Sequence, residues 1–175
     1  MRPLENEQAG PLTDFLMADH RRLEKLLQSA VAHADQVDLG AYEQFRAGLL
    51  RHIGMEEKIL LPAAQRLRDG EPLLIASRLR LDHGALATLL IPTPTAAVIA
   101  TIRGILEEHN IFEEGPGGLY EICDKLAGSE ATQLLAKLQA APEVTVLPHS
   151  DTPTVMNTVH RALERAGYDF REDES

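Results

Sequence analysis

The chain has 175 residues and a formal net charge of -10: enough length for one domain with a sizeable core, and an acidic balance that argues against a nucleic-acid or anionic-membrane surface. Its one cysteine, Cys123, excludes an intrachain disulfide and any Cys-rich zinc or iron-sulfur site, and fits a reducing cytosol. Residues 1–10 hold no apolar signal-like stretch, and no run approaches the roughly 20 apolar residues of a membrane span, so a soluble cytoplasmic protein is expected. With few aromatics and no Trp, the core must be built from Leu, Ile, Val and Ala, as in helical bundles.

Apolar residues at helical spacing predict a first helix over residues 12–33, with Thr13 or Asp14 near its start and His20 inside the inward stripe. A turn follows around residues 35–40. A second helix is expected over residues 41–68, kinked near Pro62 and ended by Asp69-Gly70. The third begins near Pro72 and carries Leu79, His83, Leu86 and Leu90 to the stop at Pro92 and Pro94. Thr95 reads as the N-cap of a fourth helix that runs through His109 and Glu113 to Glu114, where Gly115-Pro116-Gly117-Gly118 interrupts it. That run either opens a route inward or ends the helix early. Short helices are expected over residues 119–126 and 129–139.

After Ala140 the texture changes, with breaks at Pro142, Pro148 and Pro153, a short strand over residues 144–147, and a last helix capped by Thr152 and stopped by Gly167. This tail reads as separate from the core. The fold class is therefore all-α: an antiparallel up-and-down four-helix bundle over residues 11–140, with a C-terminal appendage over residues 141–175.

In the second helix His52 and Glu56 lie one turn apart on a face otherwise formed by Phe45, Leu49, Leu60, Ala63 and Leu67. A carboxylate buried on such a face needs a cation or a proton. The signature recurs as His109 and Glu113 on a stripe of Val98, Ile102, Ile105 and Phe112. His20 and His52 lie about equally far from the turn joining their helices, and at roughly 1.5 Å of rise per residue His83 and His109 fall within two turns of them. Four imidazoles and two carboxylates are too many ligands for one tetrahedral zinc. They suit two ions sharing bridging carboxylates, and imidazole with carboxylate suits iron or manganese. One histidine on an apolar stripe is more often a satisfied core residue; the coincidence of all four carries the reading.

The segments Asp19-His20-Arg21-Arg22-Leu23, His52-x-x-x-Glu56-Glu57-x-x-Leu60-x-Pro62, Asp82-His83-Gly84-Ala85-Leu86 and Glu108-His109-x-x-x-Glu113-Glu114 resemble the hemerythrin-like HHE cation-binding domain family, over residues 11–140. The resemblance implies a four-helix bundle with a non-haem di-iron centre. His20 and His52 would serve one iron, His83 and His109 the other, and Glu56 and Glu113 would bridge, with Mn the weaker fit. Oxygen-carrying hemerythrins have a further histidine four residues beyond the third-helix ligand, where this chain has Ala87. Water, hydroxide or another carboxylate would fill that place. Glu24, one turn beyond His20, is a candidate, unless it pairs with Arg21 or solvent.

Glu57 and Glu114 are expected to point away from the site, and His33, His149 and His160 to lie on the surface. The resemblance implies a di-iron protein that binds or senses dioxygen or a related small oxidant (O2, peroxide or NO) or handles iron, more a metal- and oxygen-binding protein than a dedicated enzyme. The alternative is a di-iron oxidase or peroxidase, or an iron-centre repair factor; a third reading is an interaction module whose tail docks a partner. The expected partner is a small molecule such as O2, with no nucleic acid, no membrane, and homodimerisation left open.

Overall fold

The computed structural model describes residues 9–172. Among them it forms eight α-helices and no β-strand: α1 (Pro11–Ala30), α2 (Leu39–Met55), α3 (Leu61–Leu67), α4 (Ala76–Leu89), α5 (Ala96–Glu114), α6 (Leu119–Ala127), α7 (Ala131–Gln139) and α8 (Pro153–Ala166). The all-helical class expected from the periodicity is the class observed. None of these helices is long and apolar enough to cross a membrane.

A π turn, Glu56–Leu60, joins α2 to α3 where one kinked helix was expected. Pro62 supplies the reason: it has no N–H for the Lys58 carbonyl, and its ring crowds that group. The chain widens instead, so that the Leu61 N–H reaches back to the Glu56 carbonyl.

Side-chain caps fall where the sequence places them at Thr95, whose Oγ1 accepts from the Val98 N–H at 3.2 Å, and at Thr152, which accepts from Val155 at 3.3 Å. Helix α1 departs from expectation. Neither Thr13 nor Asp14 caps it; Asp124 of α6 does, accepting from the Leu12 and Thr13 N–H groups at 3.0 and 2.9 Å and from Thr13 Oγ1 at 2.7 Å. This long-range cap fixes α6 against the start of α1. Helix α4 begins at Ala76 and not near Pro72, because the Arg68 guanidinium holds the Glu71 and Pro72 carbonyls in the preceding turn.

Two apolar clusters make the core. One contains Leu23 and Leu27 of α1, Phe45 and Leu49 of α2, Leu86 and Leu89 of α4, and Ile102 and Ile105 of α5. The other contains Leu12 and Leu16 of α1, Met55, Leu60, Leu79 of α4, and Leu119 and Tyr120 of α6. On α1, α2 and α4 the histidine falls between the residues of one cluster and those of the other. The buried polar layer is therefore sandwiched between two apolar ones, where unpaired charge is costly.

The chain after Ala140 shares this core. Val159, Leu163 and Ala166 of α8 are buried in the first cluster, and α8 packs against α4. The stretch before it lies extended without strand pairing. Its backbone carbonyls are taken by arginines of α2 instead: Arg46 donates to Leu147 at 3.1 Å, and Arg51 to Ala141 at 3.0 Å. His33 and His160 are exposed, but His149 is half-buried, its ring against Tyr42 and its Nε2 2.5 Å from Glu43 Oε1.

Candidate metal centre

His20 comes from α1, His52 from α2, Glu56 from the π turn, His83 from α4, and His109 and Glu113 from α5. The structure brings all six together as two groups of potential ligands, His20–His52–Glu56–Glu113 and Glu56–His83–His109–Glu113, with the ligand atoms of each group within 4.8 Å of one another. Both carboxylates belong to both groups. Glu56 turns Oε1 toward His52 Nε2 at 3.3 Å and Oε2 toward His83 Nε2 at 3.0 Å. Glu113 turns Oε2 toward His20 Nε2 at 3.2 Å and Oε1 toward His109 Nε2 at 2.7 Å. Each glutamate thus offers one oxygen to each half.

The outer nitrogens follow one rule. His52 Nδ1 faces Asp19 Oδ2 at 2.8 Å, His83 Nδ1 faces Glu57 Oε1 at 2.6 Å, His109 Nδ1 faces Asp82 Oδ2 at 3.1 Å, and His20 Nδ1 bonds Glu114. A carboxylate has no proton to give, so Nδ1–H donates and the Nε2 lone pair is left facing inward. Carboxylates on the outer nitrogen orient imidazole ligands in this way where a metal is bound. Glu57 and Glu114 therefore do not point away, contrary to the expectation from an ideal helix. The π turn carries Glu57 to the His83 side, and Glu114, the last residue of α5, reaches His20.

Tyr120 was not anticipated. Its hydroxyl lies 2.8 Å from Glu56 Oε1, 3.0 Å from Glu113 Oε2, 2.9 Å from His20 Nε2 and 3.1 Å from His52 Nε2. The glycine run brings it there. Gly117 has φ +71, and a Cβ on Gly118 would lie 2.8 Å or less from the carbonyls of Phe112, Glu113 and Gly115, so only glycine fits the reversal that turns α6 toward the site. The run ends α5 and folds Tyr120 inward, closing that side. Access lies elsewhere: a cavity of about 400 Å³ reaches His20, His52, Glu56 and His109, walled by Leu23, Leu27, Leu49 and Leu106, with exposed Gln28 and Arg103 at its outer part. Glu24 also lines this cavity, bonded from Gln28 Nε2 at 3.1 Å and outside both ligand groups.

Whether a cation fits can be judged from the inner atoms. Glu56 Oε2, Glu113 Oε1 and His83 Nε2 are fully buried without a hydrogen bond. Such atoms are expensive unless something neutralises them, and hard or borderline cations are the partners of an oxygen and imidazole donor set. Without metal, protons do the work. Burial disfavours charge on His20, yet Glu113 and Glu114 overcome it and raise its pKa to about 10; burial likewise opposes His83, which Glu113, Glu56 and Glu57 raise to about 11. His109 rises to about 9 by Glu113 and Asp82 against the same burial. Burial and Glu113 push Glu56 up while His52 and His83 pull it below its ordinary range, and His109 with His20 does the same for Glu113.

These directions fix a pH dependence. Histidines raised above their unfolded value stabilise the metal-free fold fully below about pH 6.5, and that contribution is lost as pH rises through about 9 to 11. Chemical denaturation of metal-stripped protein should give a lower midpoint at pH 10 than at pH 7, whereas a midpoint that holds or rises would contradict the charged-histidine site. Metal binding must displace the same protons and should strengthen with pH.

A family model described as the hemerythrin HHE cation-binding domain matches residues 12–115, more than half of the chain and all six of these ligand candidates. No curated protein and no solved structure matches the chain.

Proposed function

The chain belongs to the hemerythrin HHE cation-binding domain family, and from that premise we propose that it is a cytoplasmic non-haem di-iron protein that binds or senses dioxygen or a related small oxidant. The observation that carries the reading is the pair of ligand groups sharing Glu56 and Glu113, whose inner oxygens and imidazole nitrogens converge within 4.8 Å. His20 and His52 would hold one iron, His83 and His109 the other, and the two glutamates would bridge. Helices α1, α2, α4 and α5 would be the four members of an up-and-down bundle. Their alternating order through the two apolar clusters supports that arrangement. Residues 11–140 would form the metal-binding unit, with α8 of the C-terminal segment packed on it. Iron is preferred to manganese for a site of mixed imidazole and carboxylate.

When bound, the iron pair would supply electrons to a small oxidant and take them back. The chain's own residues do the rest. Asp19, Glu57, Asp82 and Glu114 hold the Nδ1 protons and keep the four rings turned inward. Leu23, Leu27, Leu49 and Leu106 wall the cavity through which a small apolar molecule could approach while bulk water is held off. A second reading, a di-iron oxidase or peroxidase, draws on that cavity, which exceeds what a diatomic molecule needs.

The test is metal content of protein purified without added metal, with absorption spectra recorded anaerobically and then in air. The expected result is about two irons per chain and visible bands on exposure to air. A metal-free protein, or a single zinc unchanged by air, would sink the proposal. Catalytic loss of added peroxide or of an organic reductant would favour the second reading.

A further inference from the structure

The Tyr120 oxygen has more polar neighbours than a hydroxyl can satisfy. One proton and two lone pairs face four atoms, Glu56 Oε1, Glu113 Oε2, His20 Nε2 and His52 Nε2, all between 2.8 and 3.1 Å away. Those four residues are one of the two ligand groups, complete. The atoms are also the ones the group would present to an ion. Metal–ligand bonds of about 2.1 Å at right angles separate neighbouring ligand atoms by about 3 Å, so the phenol oxygen stands from its neighbours as one ligand stands from the next. A hydroxyl serving only to cap one carboxylate would need one such neighbour.

The surrounding structure holds the ring there independently of any metal. Tyr120 is fully buried, the glycine reversal sets the start of α6, and the Asp124 cap ties that helix to the start of α1, the helix that carries His20. The other group, Glu56–His83–His109–Glu113, has no hydroxyl hydrogen-bonded to its histidines among the described residues: the neighbours of His83 and His109 are carboxylates, Glu57 and Asp82 on the outer nitrogens and Glu56 and Glu113 on the inner ones. The two halves match in imidazoles and carboxylates and differ by this one oxygen.

We propose that Tyr120 is a metal ligand, its phenolate oxygen completing the His20–His52–Glu56–Glu113 half alone and making the two metal positions unequal. The inference rests on the di-iron reading above. Ligation exchanges the O–H bond for an O–metal bond and releases the proton to solvent. A phenolate is a hard anionic donor, so the position it completes favours the trivalent ion over the divalent one. Tyr120 therefore biases which of the two irons is oxidised first.

The chain has three tyrosines, which makes the assignment testable by elimination. Air-oxidised iron-loaded protein is examined by visible absorption and resonance Raman spectroscopy, with iron measured on the same samples. The expected result is a phenolate-to-ferric charge-transfer band with phenolate ring modes, lost in Tyr120→Phe and kept in the double variant Tyr42→Phe, Tyr168→Phe, where Tyr120 is the sole tyrosine. Iron-loaded wild type without phenolate modes, or Tyr120→Phe that keeps them, overturns the inference and leaves the di-iron reading standing. Wild type without iron overturns both. If Tyr120→Phe fails to hold iron, the double variant decides: modes there support ligation, and their absence refutes it.

Discussion

Glu113→Ala should abolish cation binding at both halves of the site, whereas His109→Ala should remove it from one. Like Glu56, Glu113 turns its two oxygens opposite ways, Oε2 toward His20 and Oε1 toward His109 and His83, the last at 3.6 Å. Deleting it withdraws a ligand from both groups at once. His109 belongs to only one group, so the His20–His52–Glu56–Glu113 half keeps all its donors. The loss for Glu113→Ala should exceed the roughly 10- to 100-fold in affinity typical of an outer-shell partner, because a candidate ligand common to both groups is removed. The metal-free variant also leaves imidazoles that were held charged by Glu113 without their main partner. Breaking a buried pair in this way costs on the order of 3–5 kcal/mol. Glu107→Ala, exposed on the same helix, serves as the control. Metal analysis after dialysis, with thermal melts of the metal-free forms, checks both parts. Glu113→Ala retaining both ions would remove the bridging role and with it the pairing of the two groups.

The six residues of this site were legible because each obeys helical spacing on an apolar stripe, a pattern that survives any modest error in helix boundaries. What surrounds them was less legible, for identifiable reasons. Glu57 directly follows Glu56, and an ideal α-helix points such a neighbour about 100° away; the π turn forced by Pro62 breaks that assumption. Glu114 sits at the last residue of α5, where the helix no longer dictates direction. Asp19 and Asp82 each immediately precede a histidine of the stripe, and that adjacency was visible in the motifs without its meaning being drawn. They bond not their own neighbour but the histidine of another helix, His52 and His109. Tyr120 depends on a reversal at Gly117 and Gly118 and on a cap supplied by Asp124 across 112 residues of sequence, neither of which leaves a periodic trace. Local pattern located the candidate ligands; long-range contacts built their surroundings.

Leu163→Ala should lower the stability of the whole chain by about 2–5 kcal/mol, the usual cost of truncating a buried leucine, and its melting temperature by roughly 4–20 °C. The proline breaks after Ala140 suggested a tail apart from the core, because a change of texture marks a change of local structure; the apolar strip of Val155, Val159 and Leu163 pointed to packing on the core, where Val159 and Leu163 are found. Leu163 is 2 % exposed and shares its cluster with Leu86, Leu89 and Ile102. Thr152 caps α8 and Gly167, at φ +82, ends it, so its apolar side is presented to α4 as one unit. The connection reaches further than packing. Tyr168, just past α8, accepts a hydrogen bond from Arg78 at 2.9 Å; Arg78 Nε lies 3.3 Å from Asp82 Oδ1; and Asp82 Oδ2 holds His109 Nδ1. A chain of polar contacts thus runs from the C-terminal segment to His109 of the candidate metal centre. Loosening α8 should release Arg78 first, so Leu163→Ala should also speed loss of metal to a chelator, while His160→Ala, on the exposed face, should stay within about 0.5 kcal/mol of wild type. A single melting transition, shifted as a whole, is the expected form of the data. An unshifted main transition, with only α8 released, would make residues 141–175 an independent appendage and leave His109 held by its own helix alone.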